Sequence, residues 1–281
     1  MTRTQVGIGL ILTPDDLVLP HEVGRNVAFA EVSAEDLMGD GGPVFPGVAR
    51  LRARLALAIR SGGLGIGATL DRTHLSRLAA ICDRFRPFLV TEQLAWSSHA
   101  TVDVSAARPA PLTETTLDRV SEHVQSTQLR LGRRVAIETP VNCGGRANDM
   151  LSLETFFRKL VERTRCEIVL DLRNAYLWAD AQGQDALAHL LGYPLDNVAA
   201  IRLPVSGDAG PTCRRDERTN ASDIETIWGL YAWIAYVAGP RPTVLDWQGR
   251  PPGRDEIDRD AECAETIVRH VTGGLHDALA S

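Results

Sequence analysis

No stretch of this sequence approaches the ~18 uninterrupted apolar residues of a membrane-spanning helix, so no transmembrane helix is expected. The opening residues, MTRTQVGIGL, hold one arginine and pass straight into an apolar run. They lack the apolar core and small-residue cleavage site of a signal peptide, so the expected address is the cytoplasm, with no membrane association. Basic blocks are also missing. With a net charge of -6, a surface that tracks nucleic-acid phosphates is excluded. The five cysteines (Cys82, Cys143, Cys166, Cys213 and Cys263) are scattered and form no CxxC pair. That pattern argues against a zinc knuckle and a disulfide framework. Cys166 reads as a small buried residue, and Cys143, in the segment NCGGR, as the one cysteine placed to be a reactive thiol. Linkers, repeats and low-complexity tracts are lacking as well.

What is present is a rhythm. Seven short apolar runs each end in a charged residue: VAFA-Glu31, LALAI-Arg60, FLVT-Glu92, VAI-Glu138, EIVL-Asp171, VAAI-Arg202 and TVL-Asp246. An eighth run, VGIGL, spans Val6 to Leu10. Apolar runs of this length are the mark of fully buried strands. Helical stretches fill the gaps. His74 to Phe85 places Leu75, Leu78, Ile81, Cys82 and Phe85 on one face, and Leu117 to Leu131 repeats the pattern after a capping Thr113 or Glu114. Leu153 to Val161, Asp223 to Ala238 and a closing stretch from Asp255 to Ala280 read as further helices. The aromatics Trp228, Tyr231 and Trp233 read as core rather than as a stacking platform.

Strand alternating with helix over 281 residues predicts one α/β domain covering residues 1–281, a single (β/α)8 TIM-type barrel. Such barrels take ~250 residues and gather their chemistry where the C-terminal strand ends meet. The charged run ends are therefore the candidate site. Four carboxylates there are suited to acid/base work or divalent metals. Histidine, the usual companion ligand for iron, zinc or copper, is elsewhere. His21, His74, His123, His189, His270 and His276 fall in helices or connecting loops, and only His99 comes near the mouth. The polar segment Gly207 to Ser222 follows a strand end and reads as a mouth loop.

The segments SAEDLMGDGGP (Ser33 to Pro43), GLGIG (Gly63 to Gly67), TEQLAWSSH (Thr91 to His99), LTETTLDRV (Leu112 to Val120), LGRRVAIETP (Leu131 to Pro140), LDLRNAYL (Leu170 to Leu177) and VLDWQGRPP (Val244 to Pro252) occur in this order. Together they resemble the multinuclear non-heme iron-dependent oxidative enzymes. These are xylose-isomerase-like TIM barrels that modify ribosomally made peptides, with a small partner protein holding the peptide. The resemblance implies the barrel, a ribosomal precursor peptide as ligand, and a peptide-binding partner protein or an active paralogue.

It also exposes departures from the family's iron-ligand pattern. Arg60 stands where a histidine is typical. The family's SEHLAWS reads Thr91-Glu92-Gln93-Leu94-Ala95-Trp96-Ser97, so Gln93 replaces a histidine. LDVNN becomes LDLRN, with Arg173 for an asparagine, and EIHLAGH becomes Ala200 to Ser206, with Arg202 and Ser206 for two histidines. The DxHG-like element is blurred into Asp216 to Asn220, and the last glutamate is shortened to Asp246. Glu92, Glu138, Asp171 and Asn174 survive.

A guanidinium has no lone pair for a metal and is always cationic. Each change therefore removes a ligand and adds a positive charge. Arg60, Arg173 and Arg202 are expected to pair with Glu92, Glu138, Asp171 and Asp246 in place of a metal cluster. The expected cofactor is none, the alternative being iron in a partial, mononuclear site on those four carboxylates. Two functions stand open. One is a non-catalytic peptide- or partner-binding protein. The other is an enzyme of altered chemistry, with Glu92 or Glu138 as general base and Arg60, Gln93, Asp171, Arg173, Asn174, Arg202 and Asp246 lining a site for an anion. A sugar isomerase or hydrolase of the same architecture needs the histidines that are missing.

Overall fold

The computed structural model describes residues 7–18, 24–39, 44–94, 111–140, 149–205, 221–247 and 252–279, with backbone only for 221 and 274–279. Cys143, Cys213, His21, His99, Ser206 and the loop up to residue 220 lie outside them, as does the side chain of His276.

All eight expected strands form. They are β1 (Ile8–Leu12), β2 (Val27–Ser33), β3 (Ala56–Ser61), β4 (Leu89–Gln93), β5 (Ala136–Glu138), β6 (Glu167–Asp171), β7 (Val198–Pro204) and β8 (Thr243–Asp246). Each pairs in parallel with the next, and β8 returns to β1, closing the barrel in sequence order. Their near-continuous apolar character follows from burial on both faces, by the lumen inside and by helices outside.

The helices are α1 (Pro14–Val18), α2 (Val44–Arg52), α3 (Arg72–Phe85), α4 (Glu114–Leu131), α5 (Leu153–Thr164), α6 (Leu172–Ala181), α7 (Ala186–Leu191), α8 (Ala221–Ala238) and α9 (Arg254–Leu279). The apolar face read for α3 is buried throughout. Helices α3 and α4 begin two and three residues before the apolar pattern does, because polar caps start them. Asp71 accepts from the amides of Thr73 and His74, and Thr113 from that of Thr116. The short helices α1, α2, α6 and α7 were not anticipated, since so few turns leave little periodicity to read. On α8, Tyr231 is fully buried while Trp228 and Trp233 pack half-buried against the core. Among the described residues no helix is long and apolar enough to cross a membrane. Cys166 is buried as expected, and burial pushes its thiol up to about 11.

Two apolar layers hold the barrel. The larger lies between strands and helices. The smaller fills the lumen with Phe29, Ala58, Leu89, Ala136, Val169, Ala200 and Val244. Phe29 is the one large side chain among them, and its ring reaches across to β1. A Cβ on Gly9 would sit 2.2 Å from Phe29 Cε2, so only glycine fits there. This small-residue plug closes the lumen below the strand ends and leaves the space above it for polar side chains.

Candidate functional site

Side chains alternate across a strand with a period of two. Adding two to each lumen residue of β2 to β8 gives Glu31, Arg60, Thr91, Glu138, Asp171, Arg202 and Asp246. Seven inward positions thus form one polar layer resting on the apolar plug. A further step on β4 adds Gln93, in register with Glu138.

Arg202 sits at the centre of the layer, 3% exposed. Its Nη2 donates to Glu31 Oε1 at 2.8 Å and its Nε to Glu138 Oε1 at 3.0 Å. Asp171 Oδ2 and Asp246 Oδ2 lie farther, at 3.9 and 3.8 Å. Arg60 grips the other side of Glu138, with Nε to Oε2 at 2.9 Å and Nη2 to Oε1 at 3.3 Å. Burial opposes the charge on Glu138, but Arg202 and Arg60 outweigh it and hold the carboxyl at about 2. The same carboxylates keep the proton on Arg202 despite its burial. Asp171 goes the other way. Burial pushes it up to about 7 against the pull of Arg202, with Glu138 and Asp246 adding repulsion. Its Oδ1 also caps α6 by accepting from the Asn174 amide at 2.9 Å.

Of the residues singled out from sequence, Arg60, Glu138, Asp171, Arg202 and Asp246 come together. Asn174 touches Asp171 through its backbone, Gln93 flanks Glu138, and Arg173 is buried in the first turn of α6. Glu31, a strand end left off the candidate site, belongs in the network.

The expectation that the arginines pair with Glu92 is not met. Glu92 has the opposite parity from Thr91 and faces the helices. There it joins Ser61 (also of opposite parity, after Arg60), Glu35 and His74. His74 Nε2 lies 3.1 Å from both Ser61 Oγ and Glu35 Oε1. Glu35 also accepts from Ser33 Oγ at 2.6 Å and from the Gly62 amide at 3.0 Å, and its carboxyl is lowered to about 2 by these partners against its burial. Among the described residues no donor is well aligned with either oxygen of Glu92, which is 1% exposed, although the Ser61 hydroxyl and the Gln93 and Leu64 amides stand near it. Burial pushes its carboxyl up to about 8, with Glu35 adding to the push and the Ser61 hydroxyl opposing it. The signal for His74 was available in sequence. Three residues after the capping Asp71, it falls in the first turn of the helix after β3, close to the strand ends.

A closed parallel barrel with a charged layer at its C-terminal strand ends defines a TIM-barrel protein whose candidate site is its mouth. Solved structures agree on that fold. L-ribulose 3-epimerase superposes with a TM-score of 0.58 over 98% of both chains at 12% identity. D-psicose 3-epimerase in the presence of D-fructose gives 0.56 over 95% of this chain and 99% of that one, at 14% identity. At such identities the likeness concerns fold alone.

The chain belongs to the family of RiPP precursor modification enzymes MbnB/TglH/ChrH, matched over residues 5–269. Relatives named UPF0276 proteins share about a third of the aligned residues with it. One from Rhizobium meliloti (strain 1021) is 33% identical over 262 residues, 89% of this chain and 83% of that protein. One from Paraburkholderia phytofirmans (strain DSM 17436 / LMG 22146 / PsJN) is 32% identical over 288 residues, 99% and 91% respectively.

The family resemblance implies iron, and the residues at this mouth fit it poorly. Among the described residues the charged candidate ligands are carboxylates, Glu31 and Glu138 are bonded to guanidiniums, and the Arg202 head group lies between all four. Among the described residues no three histidines, cysteines or carboxylates are arranged to hold a metal ion.

Proposed function

We propose that this chain is a metal-free member of the family that binds a ribosomal precursor peptide, or a small protein carrying one, at the barrel mouth. It does so without multinuclear iron oxidation. One observation carries the reading: the guanidinium of Arg202 lies among Glu31, Glu138, Asp171 and Asp246, where a cation is required. Four carboxylates facing one lumen repel one another and are costly to bury uncompensated. A metal cluster relieves that repulsion, and so do Arg202 and Arg60. The two solutions exclude each other, because the guanidinium fills the space and has no lone pair to give.

The same pairing weakens the other readings. An anion-binding enzyme needs guanidinium donors turned toward the ligand, yet both Arg60 and Arg202 are spent on carboxylates. A mononuclear metal site on Glu92, Glu138, Asp171 and Asp246 needs all four on one side of the sheet, and Glu92 faces the other.

The test is metal analysis of protein purified after iron-supplemented expression, together with calorimetry against precursor peptides encoded beside its gene. Sub-stoichiometric iron and saturable peptide binding are expected. Tightly held, stoichiometric iron sinks the metal-free reading, and failure to bind any such peptide or co-purify with a carrier protein sinks the binding role.

A further inference from the structure

Among the described residues, two polar side-chain atoms in the lumen have no hydrogen-bond partner. Thr91 Oγ1 and Gln93 Nε2 are buried and make no hydrogen bond, although Thr91 is 1% and Gln93 9% exposed. Both stand on the inward side of β4, above Leu89 of the apolar plug. A buried polar group left unsatisfied costs roughly 1–3 kcal/mol. Two on one face, inside the charged layer, are a standing deficit that a ligand can remove.

The geometry points to Thr91 and Gln93 as a subsite for a neutral amide group of the bound peptide. This rests on the peptide-binding reading above and specifies which chemistry the mouth recognises.

Three arguments select an amide. The first is charge. The six paired side chains around the subsite carry four carboxylates (Glu31, Glu138, Asp171, Asp246) against two guanidiniums (Arg60, Arg202). An incoming carboxylate meets that excess, while a neutral acceptor does not. The second is complementarity. A carboxamide offers a donor and an acceptor, and an amide of the ligand answers both whichever way the Gln93 head group is turned. The Thr91 hydroxyl can donate to the ligand carbonyl or accept from its N–H. The third is placement. Thr91 lies in register with Arg60 and Gln93 with Glu138, so both neighbours are held by the salt-bridge network. The subsite is prearranged rather than assembled on binding, which reduces the ordering entropy lost on association. Alternate side chains on a strand repeat at about 6.6 Å, the same repeat as like-facing main-chain groups of an extended peptide.

The test uses whole protein labelled with 15N at glutamine side chains, the Gln93 signal being identified by its loss in Gln93→Leu. N-methylacetamide probes a main-chain amide, acetamide a side-chain amide, and acetate an anion. A saturable shift of the Gln93 amide signal with either amide, absent with acetate and weakened in Thr91→Val, is expected. Which amide saturates first tells main chain from side chain. A response to acetate alone, or to none of the three, overturns the subsite. Stability is the second measurement. Thr91→Val is expected to leave the unfolding midpoint unchanged or raised, because it removes an orphaned hydroxyl without changing shape. A clear loss of stability means that the hydroxyl already has a structural partner, and overturns the subsite. In peptide calorimetry the double variant should weaken binding about 10-fold or more. If wild type binds peptide and the variant binds it equally, the subsite fails while the peptide-binding reading stands. If the amide probes bind but no peptide does, the reading fails and the subsite stands.

Discussion

Substituting Glu92 by glutamine should change how stability depends on pH. The carboxyl is buried against the helical layer and is pushed from 4.5 to about 8 by burial, with Glu35 adding to the push and the Ser61 hydroxyl opposing it. Between those values the folded chain holds a proton that the unfolded chain has lost. Stability must then fall as pH rises through this window. Relative to high pH, the protonated carboxyl's contribution is complete below about 4.5 and gone above about 8. Each pH unit inside the window corresponds to about 1.4 kcal/mol, so the accumulated loss is about 3 kcal/mol at pH 7 and about 5 kcal/mol at pH 9. Glu92→Gln keeps the shape and cannot ionise. Urea unfolding of both proteins from pH 4.5 to 9 should show wild type losing stability relative to the variant across this range, with the gap levelling off beyond pH 8. Asp171, raised to about 7, titrates in both proteins and cancels in the difference. Parallel stability curves would refute the reasoning, because they would mean that Glu92 ionises alike in the folded and unfolded chains.

Charge at the mouth and charge on the surface should behave differently. Arg202→Met leaves Glu31 and Glu138, each 2% exposed, without their central cation, and is expected to cost about 3–5 kcal/mol in denaturant unfolding. Arg163 on α5 also holds two carboxylates, Glu114 and Asp118, but in solvent, so Arg163→Ala should change stability by under about 1 kcal/mol. Equal losses in the two variants would contradict the buried network. Gly47 on α2 tests packing alone. A Cβ there would lie 1.9 Å from the carbonyl oxygen of Leu17 at the end of α1, and backbone cannot swing aside. Gly47→Ala should lower thermal stability by about 1–3 kcal/mol, whereas an unchanged midpoint would show that α1 and α2 do not pack this closely.

Much of the fold was legible in the chain. Every strand announced itself as an apolar run because each is buried on both faces, and the order of runs alone implied a parallel barrel. The long helices were legible through their apolar faces, and the short ones were not. The candidate site was half legible. The charged run ends do lie at the mouth, but the character of a run end does not say which side of the sheet it faces. Glu138 and Glu92 looked equivalent, as final charged residues of apolar runs, and they lie on opposite sides. Counting two residues on from Leu89 reaches Thr91 and Gln93 and passes over Glu92. That parity was present in the sequence, but it needed the lumen residues as an origin, and only the closed barrel supplies them.

What the sequence determined by itself was the alternation of strand and helix, and the carboxylates and arginines that end the apolar runs. Both are local properties, set by hydrophobicity and by the chemistry of single side chains. Only the tertiary structure decided which charges meet. Glu31 and Arg202 are 171 residues apart and 2.8 Å in contact, while Glu92, one residue from the lumen-facing Thr91, is shut out of the same network. The reason is physical. Coulomb energy depends on distance and burial in the closed barrel, and neither quantity is written in the order of residues along the chain.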